Sequence, residues 1–161
     1  STHLSNPQLL SRCKKLVFMA DLVSYYLCGK VYAEYTLAST SQLMDMRSGK
    51  WSKQIFDKLG LPMEVMPEVI KPGTIVGRLR NELCQELESG PINVIAVGSH
   101  DTADAIAAVP AKGLRWAYLS SGTWRLMGVE TSKAIINDKS FRYSFIRWMI
   151  ILVPLFHSLW G

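Results

Sequence analysis

The stretch from Ile92 to Pro110 narrows the fold more than any other part of the chain. Ile92 to Val97 reads I-N-V-I-A-V, a short apolar run, β-branched at most positions, that predicts a strand buried on both faces. Gly98 stops it. Ser99, His100, Asp101 and Thr102 follow, and then an alanine-rich run, Ala103 to Val109, whose high helix propensity lasts until Pro110. A carboxylate and an imidazole therefore lie side by side where a buried strand gives way to a helix. In α/β sheets that place, the carboxyl end of a strand, is where ligands bind. An α/β fold with a candidate site at residues 99–102 is the expectation.

A second constellation follows within a short connection. Tyr118 and Leu119 lead into Ser120, Ser121, Gly122 and Thr123, and Leu126, Met127 and Val129 lead away, a pattern that predicts a hairpin. A turn of small hydroxyl residues around a glycine leaves backbone N–H groups available to an anion such as phosphate. Phosphoryl transfer to a hydroxyl needs a group that takes a proton and a loop that holds a phosphate, and both are present. Each element also has an ordinary reading. Asp101 or Thr102 serves equally well as the N-cap of the following helix, His100 as a hydrogen-bonded turn residue, and Ser-Ser-Gly-Thr as a common hairpin tip.

The paired motifs G-S-H-D-T-A and Y-L-S-S-G-T-W-R-L-M-G-V-E resemble those of the FGGY family of carbohydrate kinases. The resemblance implies roles residue by residue. Asp101 matches the base that deprotonates the sugar hydroxyl, and His100 and Thr102 match the residues that hold the sugar. Thr123 matches the threonine that touches the ATP phosphates, with Gly122 allowing the close approach. Within the family the motifs point to members that act on L-rhamnulose, ahead of kinases of fuculose, xylulose or a related polyol. The implied cofactors are ATP and Mg2+, with the ion bridging the phosphates and no residue of this chain assigned to a metal.

Other segments resemble the same family. F-M-A-D-L-V-S-Y-Y-L-C-G is one, with Ala20 where the family has proline. Y-A-E-Y-T-L-A-S-T-S-Q-L-M-D is another, and the S-G-K-W-S step and the Pro72 to Leu79 edge are two more. Read from the residues, Asn6-Pro7 opens a helix, and Asp21 caps a second one that buries Leu22, Val23, Tyr26 and Leu27 and closes at Gly29. Glu34 and Asp45 have no His or acidic cluster beside them, so residues 32–46 read as a turn and then a strand ending at Asp45. Ser52 caps a helix with Ile55, Phe56 and Leu59 inward, closed by Gly60. Gly73 to Leu79 is a strand, and Arg80 to Ser89 a helix with Leu83, Cys84 and Leu87 inward.

Composition excludes several classes. Of the 161 residues 48% are apolar and 19% charged, as in an ordinary globular protein. The net charge of +5 raises the question of a polyanion partner. No stripe of Lys and Arg interleaved with aromatics appears, however, and after Asp138 the chain has no acid while Lys139, Arg142 and Arg147 add positive charge. Nucleic acid is not an expected partner; a small-molecule sugar and ATP are. Three widely spaced cysteines, Cys13, Cys28 and Cys84, with no C-x-x-C pair, read as reduced thiols in a cytoplasmic protein. No signal peptide opens the chain, and its first residue is Ser1, so the start reads as trimmed or missing.

The resemblance implies an actin-like, ribonuclease H-like sugar kinase fold. Residues 1–109 would be the C-terminal part of the family's N-terminal domain and residues 110–141 the start of its C-terminal domain, with the boundary at about Pro110. The family's upstream Asp-x-Gly loop and most of the second domain have no counterpart here, so the chain is expected to be inactive by itself. After Ser140-Phe141 the family continues Asn-Phe-Thr-Asn-Glu-Gly-Gly, whereas this chain reads R-Y-S-F-I-R-W-M-I-I-L-V-P-L-F-H-S-L-W-G. Residues 142–161 lack helical or strand periodicity, and their apolar run, Trp148 to Trp160, is interrupted by Pro154 and His157 and too short to span a bilayer. They read as out-of-frame translation in preference to a membrane-surface anchor. Arg125, where the family often has serine, is expected to face solvent.

Overall fold

The computed structural model describes residues 7–113, 115–122, 125–131 and 135–142. It is a mixed α/β structure in which short helices surround small ladders. Helix α1 (Pro7–Arg12) is followed by α2 (Met19–Cys28), strand β1 (Ala33–Glu34) and α3 (Tyr35–Ser39). Next come β2 (Met44–Asp45), β3 (Lys50–Trp51), α4 (Lys53–Leu59), a 3-10 turn (Met63–Val65) and β4 (Val69–Ile70). Then β5 (Ile75–Arg78), α5 (Asn81–Glu86), β6 (Asn93–Ile95) and α6 (Asp101–Ala107) lead to a hairpin of β7 (Ala117–Ser121) and β8 (Arg125–Val129), and α7 (Asp138–Arg142) follows.

β1 pairs in parallel with β4, Ala33 opposite Val69 and Glu34 opposite Ile70. The other ladders, β2–β3, β5–β6 and β7–β8, are antiparallel. The core gathers on the first of these elements. Ala33, Tyr35, Ala38, Met44, Trp51, Phe56, Val65 and Met66 are buried together, with Phe18, Leu43 and Leu61 packed against them. Trp51 anchors the cluster: its indole N–H donates to the Pro67 carbonyl at 2.6 Å, and its ring meets Phe56 edge-on at 6.4 Å. A buried indole with its one donor satisfied contributes packing area without a desolvation penalty.

Helix ends agree with the sequence where glycine makes them. α2 stops at Gly29, which adopts φ 75° and donates its N–H to the Tyr25 carbonyl at 2.7 Å. A side chain there would be strained, so glycine ends the helix cleanly. Arg80 reinforces this end, donating from Nη2 to the same Tyr25 carbonyl at 3.0 Å while its guanidinium lies over the Tyr25 ring. A cation at a helix C-terminus is favourably placed. α4 likewise stops at Gly60.

Four expectations need correction. Helix α2 starts after Phe18, so Asp21 lies inside its first turn and does not cap it. Asp21 faces inward instead, 1% exposed, and its carboxylate accepts the Glu34 N–H. That hydrogen bond turns the helix, and Val23, Tyr26 and Leu27, expected inside, are exposed. Residues 35–39 form helix α3 where a turn was expected, because the Glu34 carboxylate accepts the Thr36 and Leu37 N–H groups at its N-terminus. α5 ends at Glu86, Glu88 takes a positive φ of 49°, and Leu87 is exposed. Finally, β6 is not buried on both faces. Ile92, Ile95 and Val97 are all exposed, since β6 has only β5 beside it among the described strands.

Cys13, Cys28 and Cys84 are free thiols. No helix among the described residues is long and apolar enough to cross a membrane. Residues 143–161, nearly all of the apolar tail, lie outside the described residues.

Candidate functional site

The turn from Gly98 to Thr102 joins β6 to α6, as the sequence predicts. His100 is the N-cap residue of α6, in extended conformation and without a side-chain cap bond, and Asp101 is the first helical residue. Neither Asp101 nor Thr102 therefore occupies the cap position. The Asp101 carboxylate does serve the first turn: Oδ1 accepts the Thr102 N–H at 2.6 Å and the Thr102 hydroxyl at 3.3 Å. Its side chain is nevertheless 97% exposed. A carboxylate steadied through one oxygen at a helix N-terminus and otherwise open to solvent is placed to meet a hydroxyl from outside.

The His100 side chain is mostly buried, with Nε2 4.0 Å from Asp101 Oδ1, beyond hydrogen-bond length. On the inner side of α6, Ala103 and Ile106 are buried. Asp104 lies over Gly98, where any Cβ would collide with its carboxylate. Gly98, three residues past the end of β6, leaves room for the Asp104 side chain where a Cβ would not. Burial raises the pKa of Asp104 above the usual carboxylate range; the nearby charges of Glu34 and Asp101 raise it further and His100 opposes them.

Behind this turn sits a group that local pattern does little to mark out. Glu34 is completely buried. Oε1 accepts the Thr36 N–H at 2.9 Å, and Oε2 accepts the Thr36 hydroxyl at 2.5 Å, the Leu37 N–H at 3.2 Å and the Ser99 N–H at 3.0 Å. Thr36 Oγ1 in turn accepts the His100 N–H at 3.2 Å. Two successive amides of the candidate site are thereby held by residues more than sixty positions earlier in the chain. Asp21, beneath them, accepts the Glu34 N–H at 3.2 Å, and burial, with the Glu34 charge adding to it, pushes its pKa from 3.8 up to about 6 although that N–H opposes the rise. The legible hint was an acid just before a run of small and hydroxyl residues, T-L-A-S-T-S, which is an N-cap arrangement with glutamate in the place of a shorter residue.

The phosphate-loop candidates fall at the tip of the β7–β8 hairpin. Five residue pairs run from Ala117 opposite Val129 to Ser121 opposite Arg125, so Ser120 and Ser121 belong to the strand and the turn begins at Gly122. Gly122 is exposed, and a Cβ built there would touch nothing within 4 Å. Thr123 lies outside the described residues. Arg125 is exposed, as expected. Helix α6 packs against β7, which sets the Asp101 helix beside the strand leading to Gly122. Among the described residues no group of three or more His, Cys, Asp or Glu side chains is arranged to hold a metal ion.

Comparison with known proteins identifies the family and the fold. The family model for the N-terminal domain of the FGGY carbohydrate kinases matches residues 3–108. The chain is 42% identical over 136 residues to a rhamnulokinase of Bacteroides thetaiotaomicron, covering 84% of this chain and 28% of that protein. It is 34% identical over 138 residues to a rhamnulokinase of Ligilactobacillus salivarius, covering 86% and 28%. Among solved structures, a xyloylose kinase from Brucella ovis superposes with a TM-score of 0.74 at 21% identity, over 86% of this chain and 29% of that one. A ligand-bound xylulose kinase from Lactobacillus acidophilus gives 0.73 at 18% identity, over 85% and 28%. The chain thus spans just over a quarter of the length of these relatives, and the fold is the actin-like, ribonuclease H-like fold of sugar kinases, in part. With two thirds of its residues in the match, the chain belongs to the FGGY family of carbohydrate kinases.

Proposed function

We propose that this chain carries the sugar-side base of an ATP-dependent kinase that phosphorylates L-rhamnulose at its terminal hydroxyl. The observation that carries the reading is the Asp101 carboxylate, 97% exposed at the N-terminus of α6 and flanked by His100 and Thr102. In the reaction the sugar hydroxyl oxygen attacks the γ-phosphorus of ATP, the bond from that phosphorus to the bridging oxygen breaks, and ADP leaves. Asp101 takes the hydroxyl proton. His100 and Thr102 hold sugar hydroxyls, and Gly122 and Thr123 meet the phosphates. Catalysis of this kind rests on positioning and electrostatics, with little covalent work for the protein. Mg2+, when bound with ATP, would neutralise phosphate charge.

The choice of L-rhamnulose is supported by rhamnulokinases 42% and 34% identical to most of this chain. Xylulose is the second reading, because kinases named for it share the fold, though at 21% and 18% identity. We place the boundary between the family's two domains at about Pro110, near the end of the matched segment at residue 108. We place the activity in the cytoplasm, where ATP is supplied and free cysteines stay reduced. The chain by itself is expected to turn over no sugar at a useful rate, because it spans just over a quarter of its relatives and leaves its β6 face uncovered.

Binding of L-rhamnulose, L-fuculose and D-xylulose to the chain, followed by amide shifts of residues 99–102, tests the sugar. L-rhamnulose should bind at least about tenfold more tightly than the others, the scale set by one or two hydroxyl contacts. Preference for D-xylulose would replace the substrate. ATP-dependent turnover by this chain that disappears in Asp101→Asn would overturn its expected inactivity.

A further inference from the structure

We propose that Glu34 is a positioning residue: its buried carboxylate, with the Thr36 hydroxyl, fixes the backbone of the Ser99–His100 turn and so sets where Asp101 presents its carboxylate. The inference deepens the kinase reading and rests on Asp101 being the base.

Capping α3 does not account for Glu34. A cap needs the Thr36 and Leu37 N–H groups, and Ser, Thr, Asp or Asn reaches them with a shorter side chain. The longer glutamate also reaches the Ser99 N–H at 3.0 Å, on a segment far away in sequence. Oε2 is the shared point, accepting from Thr36 Oγ1, Leu37 and Ser99. Thr36 Oγ1 then takes the next amide, that of His100. The two tethers act on the two residues immediately before Asp101. Among the described residues the Asp101 carboxylate takes hydrogen bonds from its neighbour Thr102 alone, so its location follows from the backbone.

The energetics point the same way. No Lys or Arg pairs with Glu34 among the described residues, and the charged groups close to it are the acids Asp21 and Asp104. A buried carboxylate without a cation is expensive unless every lone pair is used, and here N–H and O–H donors use them. The two amides belong to a turn outside every ladder of the described residues. Glu34 and Thr36 supply what a third strand or a longer helix would otherwise supply.

Amide hydrogen exchange and nitrogen-15 spectra of the whole chain test this with Glu34→Gln, Glu34→Leu and Thr36→Val. In the wild type the Ser99 and His100 amides should exchange slowly although they lie in a turn. Thr36→Val removes one hydroxyl and leaves the Glu34 cap on α3 in place. It should speed exchange at His100 by about tenfold, one lost hydrogen bond, while Leu37 stays within about threefold. Glu34→Gln keeps an acceptor oxygen and should retain part of the Ser99 protection that Glu34→Leu loses. Should the Glu34 variants unfold, Thr36→Val decides the matter. Unchanged His100 exchange in Thr36→Val, or equal Ser99 protection in folded Gln and Leu variants, overturns the proposal. A titration with L-rhamnulose separates the two readings. Sugar-induced shifts at residues 100–102 that weaken in Thr36→Val support both. No sugar response in the wild type, with the exchange results as expected, defeats the kinase reading and leaves the tether standing.

Discussion

Asp21→Asn probes the buried carboxylate pair directly. Asp21 is 1% exposed, Oδ2 accepts the Glu34 N–H, and Oδ1 is buried without a partner among the described residues. Burial is the main cause that lifts its pKa to about 6 in the folded chain, against 3.8 for the free side chain. Between those values the folded state holds a proton that the unfolded state has released. Stability attributable to Asp21 is therefore full below about pH 3.8, falls as pH rises through about 6, and is flat above. A shift of about two units corresponds to about 3 kcal/mol, of which about 2 falls between about pH 4.5 and pH 7.5. Asparagine keeps the acceptor for the Glu34 N–H and does not titrate. Urea unfolding followed by tryptophan fluorescence, at several pH values, gives the difference between wild type and Asp21→Asn. Subtraction removes other groups, such as Asp45, whose pKa is lowered by hydrogen bonds from the Arg47 N–H and the Ser48 hydroxyl and whose contribution has the opposite sign. The wild type should lose ground to the variant steadily up to about pH 6 and then run parallel. Curves parallel throughout, to within about 0.5 kcal/mol, would refute the argument that burial controls this group.

Glu34→Ala strands the Thr36, Leu37 and Ser99 N–H groups and should cost about 3 kcal/mol or more, seen as a lowered urea midpoint with an unchanged slope. Phe56→Ala, at a position 2% exposed against Trp51, should cost about 3 to 5 kcal/mol and abolish the cooperative transition if the chain has less stability than that. Asp101→Asn should leave thermal stability within about 0.5 kcal/mol, because the side chain is exposed, while weakening L-rhamnulose binding in the same sample. Ile95→Lys, on the uncovered β6, should raise solubility in light scattering without lowering the unfolding midpoint.

Much of the site was legible because its physics is local. A strand run ending at Gly98, two polar residues and an alanine-rich helix specify a strand–turn–helix from residue types alone, and Asp101 stands at its first helical position as that reading requires. The same holds for the hairpin pairing Tyr118 with Gly128, and for the helix ends at Gly29 and Gly60. Each depends on neighbours within a few residues. The inward face of α2 was misread for the opposite reason. Periodicity puts Val23, Tyr26 and Leu27 inside, but one hydrogen bond from the Glu34 N–H draws Asp21 inward and rotates them out. A polar contact thirteen residues away goes with the outward placement of these three apolar side chains, and periodicity within the helix carries no record of it.

Glu34 shows where reading from local pattern ends. Considered alone, with no acidic or histidine cluster around it, it reads as an ordinary turn residue, and its hydrogen bonds to Thr36 and Leu37 fit that description. Its bond to Ser99 follows only from the fold, which brings β1 against the turn after β6. The apparent burial of β6 is the mirror case. Its apolar composition is suited to cover on both faces, yet the described residues give it a single neighbour, β5. The strand's composition thus matches a sheet larger than the ladder it occupies, while Glu34's composition matches a turn smaller than the network it serves. Both mismatches bear on the same loop: β6 delivers the chain to Ser99, and Glu34 holds it there. The location of Asp101 therefore rests more on the buried carboxylate behind the turn than on the two-stranded ladder in front of it, and substitutions at Glu34 or Thr36 should disturb the site more than substitutions along β6.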